Sequence, residues 1–546
     1  MRRLSGRQRR QHGAALILFL TILVLGVAWF AVGALGKAPV ATAEREVITG
    51  RALQAAKQAL LAYAAQYAAR STTADPGQMP CPESLTLANP GEASTSCSAT
   101  LLVVGRLPWK TLGIDPLRDG AGEPLWYMMR GFRDPPINFG TAGQLTYNGA
   151  TVVAMIIAPG VPLSTTGTPP AGCTAQNQLV ATRNAATLNP ANFLECGVAT
   201  GSIASPGDSA WTNDRVIAIT AAEWADAIAP AIADRLQRQV APVLETWRST
   251  QSNANWGPNF MPYASSFTNP TANDQCGNSV AQGAASEGLL PFARVATSNC
   301  SWWQTTGASI ANGVAGLIAF SNPTVNCTAI AAGLECTFAA TSALNLVDVQ
   351  FSAIAPNVAS SFRAPIAWSN VSFRLASGGA ITCAPSGALT QTLSATTGEV
   401  SISGACTLSG LLIATPVIMQ INHLPDAAII ASLPAWYLSN QWEQHTYYSV
   451  APGWTVNPGT AVCTTADRSG CITINGLDAS TGNTDDKRFA LVLMGRRLSA
   501  QASGTDQVID YLESRTSATQ FAAAATSGAY NDRFAACPSL VTPVCN

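Results

Sequence analysis

Charge is scarce in this chain. Asp, Glu, Lys and Arg make up only 11% of its 546 residues, and histidine occurs three times. Neutralising phosphates takes clustered Lys and Arg, and no such cluster follows Arg10, so nucleic acid is not expected as a partner. Without the five arginines that precede Gln11 the formal charge is −6 rather than −1, which points the same way. Catalytic signatures are missing too: there is no HExxH, no P-loop, no GxSxG elbow and no dinucleotide fingerprint. A Ser-His-Asp triad would have to recruit His423 or His445, and neither has a recognisable setting. No catalytic residue is therefore assigned and no enzyme is expected. Paired carboxylates of the glycosidase kind stay open, because they need not be close in sequence. There is no CxxC pair, which argues against zinc.

What the chain does have begins at its N-terminus. Gln8-Arg9-Arg10-Gln11-His12-Gly13 closes a short basic leader, and an uncharged run from Ala14 to Gly36 follows without a spacer. At about 1.5 Å per helical residue that run is roughly 35 Å long, so a transmembrane helix is expected over 14–36. A secretory signal would place its small-residue cleavage site after the apolar region. Here the glycine lies before it, so a cut would remove the charges and keep the helix. This arrangement resembles the class III signal of type IV prepilins and type II secretion pseudopilins, which a prepilin peptidase cuts after glycine. The resemblance implies processing between Gly13 and Ala14, methylation of Ala14, and other pilin or pseudopilin subunits as partners. Ala15, Gly26, Ala28, Gly33 and Gly36 are small enough to let neighbouring helices approach closely.

Leu18 departs from the family pattern. Most members carry glutamate at the fifth mature position, a carboxylate that needs a partner in an apolar setting. The large tip pseudopilin of type II secretion also lacks it, so the resemblance points to a minor or tip subunit. The competing reading is a plain signal anchor, with Arg2, Arg3, Arg7, Arg9 and Arg10 held in the cytoplasm.

Fourteen cysteines all follow the apolar segment: Cys81, Cys97, Cys173, Cys196, Cys276, Cys300, Cys327, Cys336, Cys383, Cys406, Cys463, Cys471, Cys537 and Cys545. An even count in an exported setting favours disulfides, and pairing in sequence order is our expectation. Connectivity does not follow from sequence.

Residues 41–70 are rich in helix formers, and Val47, Leu53, Leu60 and Tyr63 recur at helical spacing, so an amphipathic continuation over 37–70 is expected past a kink at Pro39. GQMPCPES (77–84), the 105–129 stretch with its Asp-Gly-x-Gly-Glu-Pro-Leu-Trp-Tyr core, and NDRVIAIT (213–220) resemble elements of large prepilin-like proteins. Asp115, Asp119 and Glu123 are hard oxygen ligands on a loop, and the family resemblance makes calcium a candidate there. Without EF-hand spacing, a turn with no metal is the favoured reading, and no other cofactor is expected. Ala221–Trp247 reads as a helix with Trp224, Ile228, Ile232, Leu236 and Val240 at four-residue spacing, kinked or segmented at Pro230 and Pro242. Trp256, Trp302 and Trp303 are candidates for a binding surface or for packing. Short alternating strands over 340–420 suggest a sandwich-like insert. From 433 onward the LPAWY element, the Trp-and-Tyr-rich stretch and Asn531-Asp532-Arg533 echo earlier segments, which raises a degenerate repeat.

The expected protein is α+β: a long N-terminal transmembrane-plus-amphipathic helix and an antiparallel, β-rich, disulfide-containing periplasmic or extracellular head. Its expected divisions are a leader (1–13), a transmembrane helix (14–36), an amphipathic continuation (37–70), a pilin-like region (71–250), a β-rich insert (251–425) and a C-terminal region (426–546). The resemblance implies a minor or tip subunit of a type IV pilus or type II secretion pseudopilus, held by a single pass in the inner membrane. A membrane-anchored adhesin is the alternative, and a glycan-active enzyme in the insert a remote one.

Overall fold

The computed structural model describes residues 12–70, 75–163, 187–194, 201–203, 211–249, 286–290, 309–312, 326–330, 333–339, 346–355, 367–393, 400–409, 415–422, 433–455, 460–476, 484–498 and 512–540, apart from single positions within them, and short pieces around Arg183 and 252–264. The chain divides into two compact units. One comprises residues up to Ala64, Met79–Arg133 and Ala142–Trp224; the other comprises Ala65–Gln78, Asp134–Thr141 and Ala225 onward.

In the first unit, helix α1 (His12–Arg70) meets a four-stranded antiparallel sheet. The strands β1 (Val103–Arg106), β2 (Trp126–Met129), β3 (Ala154–Ala158) and β4 (Arg215–Ile219) pair in chain order. β2 and β3 are apolar throughout and buried at every position, as strands covered on both faces must be. One face carries Trp126, Met128, Met155 and Ile157 into a core with Leu145, Leu188 and Phe193. On α1, Leu53, Ala56, Leu60 and Ala64 form a buried stripe at helical spacing. Lys57 lies within that stripe; its ammonium donates to the Ala218 carbonyl (2.8 Å) and pairs with Glu223 (2.5 Å). A small helix, α2 (Trp109–Leu112), follows Leu107-Pro108 between β1 and β2.

The second unit repeats this plan. Its helical stretch is α3 (Ala221–Arg235, whose first turn belongs to the first unit), a π-helical segment (Leu236–Val240) and α4 (Ala241–Ser249). The expected break at Pro242 is met by that π widening: proline has no N–H to give its preceding turn, and the wider turn absorbs the loss. Strands β5 (Glu287–Leu289), β6 (Thr446–Val450), β7 (Phe489–Leu493) and β8 (Arg533–Ala536) again pair antiparallel in chain order. Helix α5 (Ala435–Ser439) follows Leu433-Pro434 between the first and second strands, as α2 does in the other unit. Each sheet also has a three-stranded companion with one parallel pairing, Thr146 with Ser202 in one and Ile474 with Phe521 in the other. The repeated plan therefore starts at α3, well before residue 426. Glu287–Leu289, inside the expected insert, belong to it.

Between β5 and β6 lies the inserted region. Its nine strands, from Ser309–Asn312 to Pro416–Asn422, pair antiparallel: eight hydrogen-bond along one path, and Thr390–Leu393 pairs off it with Val400–Ser409. These strands are joined in one hydrogen-bonded sheet where a sandwich-like insert was expected. Cys327–Cys336 and Cys383–Cys406 are disulfides within it, Cys81–Cys97 lies in the first unit and Cys463–Cys471 in the second. Each joins neighbours in sequence order, and the other six cysteines lie outside the described residues.

The expected α+β class is also corrected. The protein is β-rich, with 31% of residues in strands and 28% in helices. Among the described residues no helix is long and apolar enough to cross a membrane, which overturns the transmembrane helix over 14–36 and the single-pass inner-membrane placement.

Candidate functional site

The two units carry matching clefts where the helix meets the last two strands. In the first, β3 ends at Ala158 and the chain turns through Gly160, where φ is +64°. A Cβ at Gly160 would fall 2.9 Å from Nδ2 of Asn213, so glycine is what lets Asn213 close over the turn and donate to the Val161 carbonyl (2.8 Å). Two residues on, Arg215 opens β4 and grips Glu46 of α1 with two hydrogen bonds, Nε to Oε2 at 3.1 Å and a terminal nitrogen to Oε1 at 2.9 Å. Arg45, Glu46 and Thr49 supply the helical wall, and the cavity left is about 170 Å³.

In the second unit β7 ends at Leu493, and Gly495 lies against Asn531, whose Nδ2 donates to the Arg496 carbonyl (2.5 Å). A Cβ at Gly495 would fall 2.2 Å from Cγ of Asn531. Arg533 opens β8 as Arg215 opens β4. Ala225, Asp226 and Ala229 of α3 stand at the spacing of Arg45, Glu46 and Thr49, and with Phe139 and Ser527 they enclose about 330 Å³. Asp226 does not reach as Glu46 does: Arg496 Nε is 3.6 Å from its Oδ1, and the buried Nε of Arg533 has no hydrogen-bond partner among the described residues. Burial lowers the Arg533 pKa from its ordinary value, and Asp226 opposes that shift. Next to it, burial lifts the Asp532 carboxyl to about 7, against the Ser514 amide that donates to it and with the help of Glu513.

The candidate calcium ligands do not gather. Asp119 accepts from the backbone N–H groups of Ala121, Glu123 and Gly160, Glu123 pairs with Arg183, and Asp115 is exposed. Among the described residues no group of three His, Cys, Asp or Glu is placed to hold a metal. Gly13, Ala14, Ala15, Ala28, Gly33 and Gly36 lie on α1, with side-chain surroundings outside the described residues. Leu18 is 63% exposed, and a Cβ at Gly26 would meet nothing within 4 Å. His445 is half-buried against Phe139 and Trp442, where desolvation lowers its pKa to about 4. His423, Trp256, Trp302 and Trp303 lie outside the described residues. Sequence reasoning marked the two Asn-Asp-Arg triplets, but missed Gly160, Gly495, Arg496 and Asp226. The available signal was a glycine two residues beyond a buried apolar strand, upstream of each triplet. No family model matches the chain, and no curated protein or solved structure matches it.

Proposed function

We propose that this chain is a non-enzymatic, pilin- or pseudopilin-like subunit of the minor or tip type. It joins a fibre through α1 and leaves its disulfide-bonded β-rich units for capping the fibre or binding a target. One observation carries the reading. Along Ile17–Val27 of α1, nine large apolar side chains are between 53% and 68% exposed. Burying such side chains fully stabilises by roughly 1.5–3 kcal/mol each, so a row of this length calls for a cover. Helices of like subunits offer that cover, with close approach at Gly26. Further support comes from the Gly13-Ala14 junction ahead of the row and from the antiparallel sheet on which the later part of α1 rests. The partners are then a prepilin peptidase, which would free Ala14, and other pilin or pseudopilin subunits.

The test is to shear surface fibres from the host and look for the chain in them. Wild type should be present, starting at Ala14, while Leu18→Lys with Leu25→Lys should be lost from fibres yet keep its disulfides. Absence of the wild type from fibres, with Met1 still in place, would overturn the reading.

A further inference from the structure

The first unit supplies a template for the second. Its arginine at the start of the last strand is saturated by a glutamate from its own helix, in the two-pronged geometry that guanidinium and carboxylate favour. The equivalent cleft in the second unit keeps the glycine, the asparagine and the arginine. It adds a second arginine, Arg496, where the first unit has Val161. Its helical acid is one methylene shorter and 62% exposed, and the flanking Arg45 and Thr49 of the first helix are replaced by Ala225 and Ala229. Two guanidiniums thus share one carboxylate, 3.6 Å from Arg496 Nε, in a cavity about twice as large. A half-buried Arg533 whose Nε has no hydrogen-bond partner among the described residues carries a desolvation cost that the attraction of Asp226 only partly offsets.

We propose that the Arg496–Arg533 cleft of the second unit binds a carboxylate supplied from outside the chain, seated on Arg533 as Glu46 is seated on Arg215. Phe139, Ala225 and Ala229 form an apolar flank, which suits an acid carried on a short aliphatic stem. Glutamate side chains and small free carboxylic acids share that chemistry.

Calorimetric titration of the full chain tests this with two probes: acetate, and the capped tripeptide Ac-Ala-Glu-Ala-NH2 with its Gln counterpart as control. The expected result is a single weak site for the Glu peptide, lost at least about tenfold in Arg533→Gln. Asp226→Glu keeps both arginines and lengthens the internal acid, so it should fill the site and weaken the probe by a similar factor. Binding of acetate as well as peptide would assign the site to free carboxylates, and binding of the peptide alone to acidic side chains of a partner. The proposal is overturned if neither probe binds, if the Gln peptide binds equally well, or if both substitutions leave binding unchanged. None of these results depends on whether the chain enters fibres.

Discussion

Arg215 and Arg533 occupy matching positions in two copies of one plan, yet only Arg215 is met by a carboxylate of its own helix. The difference is traceable to three helix positions. Arg45, Glu46 and Thr49 fill the first cleft, whereas Ala225, Asp226 and Ala229 leave the second open. A repeated scaffold can therefore close a site in one copy and keep it available in the other, without altering the sheet that frames it.

The largest test of this contrast uses pH, because the second unit holds two titrating groups that pull in opposite directions. Asp532 has its pKa raised to about 7, so the folded state holds a proton that the unfolded chain releases near pH 4. Its contribution is present below about pH 4 and is lost as pH rises to about 7. Asp532→Asn should remove that loss and stabilise the protein at pH 8 by up to roughly 4 kcal/mol, read from urea unfolding midpoints. His445 works the other way. With its pKa lowered to about 4, its contribution is present above about pH 6.5 and is lost as pH falls to 4. His445→Phe should flatten that acid limb, by up to roughly 3 kcal/mol between pH 6.5 and 4. If neither variant changes the pH profile, burial of these two groups is not what sets it.

Much of this was legible in the sequence only as fragments. The Asn-Asp-Arg triplets, the LPxW and LPW elements and the Trp224-to-Val240 helical stripe were visible because each is local. The shared plan was not, because its spacings differ: 52 residues separate Val161 from Asn213, but 35 separate Arg496 from Asn531. The inserted sheet also comes between β5 and its partner β6, so the second copy reads as two unrelated pieces. Registers of that kind are fixed by pairing across the fold, which no local pattern reports. The cleft was hidden for the same reason. Glu46 and Asp226 are ordinary helix-surface acids until the strands place an arginine opposite them. On α1 the apolar composition of 14–36 was plain to see, but composition alone did not decide what lies against it.

A smaller effect separates the walls of the two clefts. In the first unit the Asp119–Glu123 turn is pressed onto α1: a Cβ at Gly120 would fall 2.3 Å from the Arg45 carbonyl oxygen, and the Gly120 N–H donates to Thr49 (2.9 Å). Backbone cannot step aside as a flexible side chain does, so Gly120→Ala should cost about 1–3 kcal/mol, read as a lower urea midpoint. Gly122→Ala, two residues along, meets open space and suffers only its positive φ of +85°. Equal losses at the two positions would show that contact with α1 is not the constraint.

The smallest expected change in stability gives the sharpest comparison. Glu46 and Arg215 are half exposed, at 50% and 32% of their side chains, so water already screens their attraction. Glu46→Gln should therefore alter stability by less than about 1 kcal/mol. It should nonetheless convert the first cleft toward the second by freeing Arg215 from its charged partner. Space then decides what enters. Arg45 and Thr49 still narrow the cavity to about 170 Å³, so acetate should gain a weak site there while the Glu tripeptide should not. The measurement is best made with Arg533→Gln present, which silences the second cleft. Acetate binding that appears only with Glu46→Gln would show that a carboxylate of its own helix is what keeps the first copy closed.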